Sequence, residues 1–198
     1  IDYSKLFGGA GVTGGDTLQY FVVAQDLSGT PNVGINSGSF AATPSSVDLT
    51  AAAFPIGRTI NSYNILGTIS GTKTVGATGA DYATLTLAVA DLNNKELNGA
   101  LTYSLIDASY PSETFPITIN ANTVSSATNT VTIKPTGTTS ISGASTGGII
   151  VLNGADYVTI DGSTGSTANT VCPASSASRD LTITNTSATT LSAVIWIH

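Results

Sequence analysis

The chain has 198 residues, enough for one large or two small domains, and only 9 % of them are charged, against about 25 % in ordinary globular domains. The formal charge is −6, and the six Lys and Arg residues stand singly, with no basic run or stripe. Nucleic acid and anionic lipid surfaces are therefore excluded as charge-driven partners, because phosphate neutralisation needs clustered cations. Thr, Ser, Gly, Ala and Asn replace the missing charges, which suits β-proteins whose exposed strand faces carry hydroxyl rows.

Residues 1–66 read as alternating strands and turns. Gln19 to Asp26 is rich in aromatic and β-branched residues and follows the turn cluster Gly14-Gly15-Asp16, so it is expected to be one strand. A loop from Ser28 to Ser39 comes next. Shorter strand-like pieces follow at Ser46 to Leu49 and Ile60 to Leu66.

One helix is predicted, over 84–94. Thr84 is its N-cap, Leu85, Ala88, Val89 and Leu92 recur at helical spacing, and Asn93, Asn94, Asn98 and Gly99 supply the stop. Such a short amphipathic helix can lie across the open end of a β-stack, which would otherwise present unpaired backbone groups.

Short strands return from residue 101. They begin at Leu101, Ile117, Val131, Ile149, Val158, Leu181 and Val194. Several share one shape, an apolar residue, Thr, Ile and then a polar residue, with Asn-Gly, Asp-Gly and Ser-Gly turns between them. In that shape the two apolar residues face one side and Thr the other, as one wall of a solenoid over a dry core requires. The step from Val158 to Leu181 matches one coil of about two dozen residues. The fold class expected is all-β.

The run from Thr74 to Leu85 resembles the opening of β-helix regions in large secreted surface proteins of Bacteroidota-type bacteria. Pro111 to Ile117, Leu152 to Gly162 and Arg179 to Thr186 are similar to their successive coils. The alternation Tyr20-x-Val22-x-Ala24-x-Asp26 resembles the late strands of fibronectin type III or other immunoglobulin-like modules that precede them. The resemblance implies that 1–66 is the C-terminal part of an immunoglobulin-like β-sandwich. It implies that 67–198 is the start of a right-handed parallel β-helix, with helix 84–94 as its N-terminal cap and with truncation at the C-terminus. The expected function is a structural or adhesive module of a long cell-surface protein, exported by the type IX secretion machinery. Surface glycans or other cell-surface proteins are the partners this implies. Two alternatives stand beside it: the N-terminal part of a β-helix polysaccharide lyase or hydrolase, and a carbohydrate-binding module.

No catalytic constellation is visible in the sequence. Asp156, Asp161 and Asp180 could hold calcium or act as acid and base on a polysaccharide. They also fit ordinary turn positions, where an Asp carboxylate bonds nearby backbone N–H groups. Asp26 with Asn32 and Asn36 lacks the spacing of a calcium loop. Cys172 is the only cysteine and has no visible base partner, so it reads as a free loop thiol. His198 is the only histidine. Tyr82, Tyr103, Tyr110, Tyr157 and Trp196 could stack on sugar rings, although core packing is the simpler account for most of them. No cofactor is expected, and no apolar run approaches the roughly 18 residues of a membrane span.

Overall fold

The structure is a computed structural model that describes residues 2–164 and 178–198. It is built mainly of strands, with parallel pairing dominant, and divides into two compact units, Ile1–Leu66 and Gly67–His198.

The first unit contains four short strands: β1 (Thr17–Tyr20), β2 (Val23–Gln25), β3 (Val33–Ile35) and β4 (Asn61–Asn64). They form two antiparallel pairs, β1 with β4 and β2 with β3. The single strand expected over 19–26 is therefore two strands in two different sheets. The break falls where Asn36 takes over the backbone of Val22. The Val22 N–H donates to Asn36 Oδ1 at 2.7 Å, and the Asn36 N–H donates to the Val22 carbonyl at 3.1 Å. Phe21 turns instead toward Phe54, with ring centroids 6.4 Å apart. The expected strand at 46–49 is a series of bends. Ala53 is the one buried apolar side chain among the described residues of this unit.

The second unit holds β5 (Gly67–Val75), α1 (Leu85–Leu92) and β6 (Lys95–Leu105). Then follow β7 (Ile117–Asn120), β8 (Val131–Pro135), β9 (Thr139–Gly143) and β10 (Gly148–Asn153). The last are β11 (Val158–Ile160), β12 (Leu181–Asn185) and β13 (Ala193–Ile197). Among the described residues all strand pairing here is parallel. One sheet runs β5-β6-β8-β11, a second β9-β12 and a third β7-β10-β13.

Register explains the recurring sequence shape. Leu101, Val131 and Val158 lie in one row, Thr102, Thr132 and Thr159 in the next, and Tyr103, Ile133 and Ile160 in a third. Leu101, Tyr103, Val131 and Ile133 are buried, whereas the Thr rows face outward. Ile117 and Ile150 extend the same core from the third sheet, and Ile141 extends it from the second.

The step between stacked strands differs from the sequence expectation. Val158 pairs with Val131, and Leu181 pairs with Thr139, so Val158 and Leu181 belong to different sheets. Residues along the first sheet repeat after 30 and then 27 positions, from Leu101 to Val131 to Val158. The connection lengthens later. Pro135 leads almost directly to Thr139, whereas a Ser- and Ala-rich stretch separates Ile160 from Leu181.

Thr84 caps α1 through its hydroxyl, which accepts from the Leu87 N–H at 3.1 Å, and Leu85, Ala88, Val89 and Leu92 are buried. The C-terminal end of α1 is tied to β7. Asn93 Nδ2 donates to the Thr118 carbonyl at 2.8 Å, and Asn93 Oδ1 accepts from the Asn120 N–H at 3.0 Å. Asn153 continues the row, its amide donating to Asn120 Oδ1 at 2.9 Å. An Asn therefore follows α1 and ends β7 and β10, which keeps these three successive elements in step.

Candidate functional site

The outer face of the third sheet carries a groove of about 390 Å³. It is built by register. Thr118 of β7, Val151 of β10 and Trp196 of β13 stand side by side in one row. Beyond them lie Asn153 and His198. The His198 N–H donates to the Leu152 carbonyl at 3.1 Å, and its carbonyl accepts from the Gly154 N–H at 2.8 Å, so the backbone fixes its place.

The indole of Trp196 packs closely against Gly147. A Cβ at Gly147 would lie 3.1 Å from Trp196 Cζ3, and one at Gly148 would lie 3.0 Å from Trp196 Cβ. A side chain at Gly147 would press on the indole, whereas one at Gly148 would first meet the Ile150 carbonyl oxygen at 2.9 Å. The imidazole of His198 sits beside the ring, with centroids 6.0 Å apart and planes 32° apart. Trp196 stays 39 % exposed while Val151 beneath the groove is buried.

Asn185 organises the loop under the groove. Its Nδ2 lies 3.0 Å from the Ser145 and Gly147 carbonyls and 2.9 Å from that of Ala193. Its Oδ1 accepts from the Ser145 N–H at 3.1 Å and the Ser187 N–H at 3.0 Å. One side chain thus joins the end of β12, the loop before β10 and the start of β13. Nothing in the sequence distinguishes this Asn from the others around it, because its partners are brought in by the stacking.

The sequence-predicted carboxylates lie elsewhere. Asp161 follows β11, forms an ion pair with Lys134, and accepts from the Ser163 N–H at 2.9 Å and hydroxyl at 2.8 Å. Burial pushes its carboxyl up, but Lys134 and Ser163 outweigh this and hold it below the usual carboxylate range. Asp180 accepts from the Thr164 N–H at 3.0 Å, and its own N–H donates to the Gly162 carbonyl at 2.8 Å. The Ser178 hydroxyl and Thr164 hold its carboxyl low as well. These two residues close the same turn, whereas Asp156 is exposed at the other end of β11. Carboxyls held ionised are poor general acids. Among the described residues no group of three His, Cys, Asp or Glu could hold a metal ion.

Asp26 is likewise occupied in closing its loop, accepting from the Asn32 N–H at 2.9 Å, the Asn32 amide at 2.6 Å and the Ser28 hydroxyl at 2.8 Å. Asn36 is engaged with Val22 instead. Cys172 lies outside the described residues.

Of the five aromatics, Tyr103 and Tyr110 are buried, and Tyr82 is half-buried with its hydroxyl donating to Asp91 at 2.6 Å. Tyr157, 53 % exposed, and Trp196 remain accessible, and only Trp196 lines the groove. No helix among the described residues is long and apolar enough to cross a membrane. No protein-family model, no curated protein and no solved structure matches the chain.

Proposed function

We propose that the chain is a structural and adhesive module of a large secreted cell-surface protein. In this reading residues 67–198 are the start of a right-handed parallel β-helix whose first coil is covered by α1. Residues 1–66 are the C-terminal part of an immunoglobulin-like module. Export through type IX machinery follows from the sequence resemblance.

One observation carries the reading. Strands distant in sequence pair in parallel and in register on three sheets, with the same apolar rows turned inward each time. Each stacked strand buries the face of its neighbour, so a long module of this kind holds together without disulfides. The polar, weakly charged exterior suits contact with neutral surfaces. A polysaccharide lyase or hydrolase is the weaker reading, because Asp161 and Asp180 spend their oxygens on a turn.

Beads coated with the purified chain, passed over mucin, fibronectin and xylan films, test the proposal. The expected result is retention under flow with no release of reducing ends or unsaturated sugars. The opposite pattern, product release that Asp161→Asn abolishes, would make the chain an enzyme. Absence of retention on every film would remove the adhesive role.

A further inference from the structure

We propose that the groove beside Trp196 binds a neutral hexopyranose chain, an assignment that rests on the surface-module reading above and gives it a ligand. The indole offers a fixed apolar plate on which the C–H face of a pyranose can stack. Thr118, Asn153 and His198 border the plate with a hydroxyl, an amide and an imidazole. Together these groups can both donate to and accept from sugar hydroxyls.

Charge selects the class. Among the described residues no Asp, Glu, Lys or Arg lines the groove, so a uronate, sulfate or phosphate would be desolvated there without a cation to pair with. A volume of about 390 Å³ falls within the usual range of small-ligand sites. The site is also preorganised. Asn185 locks the loop beneath it, and Gly147 lets the indole pack close to that loop, so little ordering is left to the moment of binding.

Trp196 is the only tryptophan in the chain, so its fluorescence reports on this site alone. The whole chain is titrated with cellohexaose, laminarihexaose and mannohexaose, with hexagalacturonate as the acidic comparison. At least one neutral hexaose is expected to shift the emission saturably at millimolar concentration, and hexagalacturonate is expected to leave it unchanged. By calorimetry with that hexaose, Trp196→Ala is expected to weaken binding by about tenfold or more, the scale of one lost aromatic contact. His198→Ala, which keeps the backbone bonds of that residue, is expected to weaken it several-fold with an unchanged circular dichroism spectrum. Tyr157→Ala, at an exposed aromatic outside the groove, is expected to bind as wild type.

No emission change with any neutral hexaose would overturn the assignment. So would equal binding of hexagalacturonate, or wild-type binding by both Trp196→Ala and His198→Ala. The two proposals fail separately. Beads of wild type and Trp196→Ala retained equally would remove the groove from adhesion and leave the surface module standing. Hexaose binding without retention on any film would remove the adhesive role and leave the sugar site.

Discussion

Tyr103→Ala is expected to destabilise the 67–198 unit by about 3–5 kcal/mol, the cost of deleting a large ring from a core that cannot collapse around the gap. Tyr103 is fully buried and stands in the row of Ile133 and Ile160. Its hydroxyl donates to the Ala88 carbonyl of α1 at 2.7 Å, and its ring meets Tyr82 nearly edge-on at 6.0 Å. The residue therefore links the helix to the first sheet. Burial drives its hydroxyl far above the usual tyrosine pKa, so the neutral form is the one the fold holds. Tyr103→Phe keeps the ring and loses one hydrogen bond, a cost of about 1 kcal/mol. Urea titration separates the two, through a large fall in midpoint for the alanine variant and a small one for phenylalanine. Equal midpoints would show that the ring does not fill the core as described.

Glu113→Ala is expected to cost about 2–3 kcal/mol and to release α1 first, because charged hydrogen bonds at a helix start are lost together. Glu113 lies between β6 and β7, in sequence well beyond the helix it serves. Its Oε1 accepts from the Leu85 N–H at 2.6 Å, and its Oε2 accepts from the Thr86 N–H at 2.7 Å and from the Thr86 hydroxyl. With Thr84 on the Leu87 N–H, the first three N–H groups of α1 are satisfied. Glu113→Gln keeps one acceptor oxygen and should retain part of the stability. Amide exchange in residues 85–92 is the direct reading. Faster exchange there, with β8 and β10 still protected, is the expected pattern. Unchanged exchange in α1 would contradict the capping role.

Local chemistry made some elements legible in the sequence. Thr84 and the Leu85, Ala88, Val89, Leu92 spacing placed a helix at 84–94, close to the observed Leu85–Leu92. The apolar-Thr-Ile shape found strands at Val131, Val158 and Leu181, because a period of two survives without knowledge of the partner. Gly67–Val75 and Thr139–Gly143 were silent. Both are rich in Gly, Ser and Thr and become strands through pairing with β6 and β12. Asn98 and Gly99 read as part of a helix stop and instead lie within β6 (Lys95–Leu105). They fall at the register shift where β6 has extra residues against β5, between the pairs Ile69–Leu97 and Gly71–Leu101.

The site was less legible for a related reason. Asp161-Gly162 carries an ordinary turn signal, and the structure uses Asp161 and Asp180 in that turn. The groove depends on register, which puts Trp196 against Val151 and Thr118 from strands far apart in the chain. Glu113 and Asn185 act on partners tens of residues away. No periodicity within one element reports such contacts.

The account stands on which strands are neighbours, and paired cysteines read that directly. In a Cys172→Ser background, Thr132→Cys with Thr159→Cys places two thiols opposite each other on β8 and β11. Neighbouring strands are within the Cα separation of about 4.4–6.8 Å that a disulfide requires. Thr159→Cys with Thr182→Cys places them at the spacing that sequence alone offered as one coil, but on different sheets. Under mild oxidation the first pair is expected to crosslink within the monomer and the second to stay reduced. Crosslinking of the second pair with none in the first would contradict the stacking on which the groove, the helix cap and the proposed function all depend.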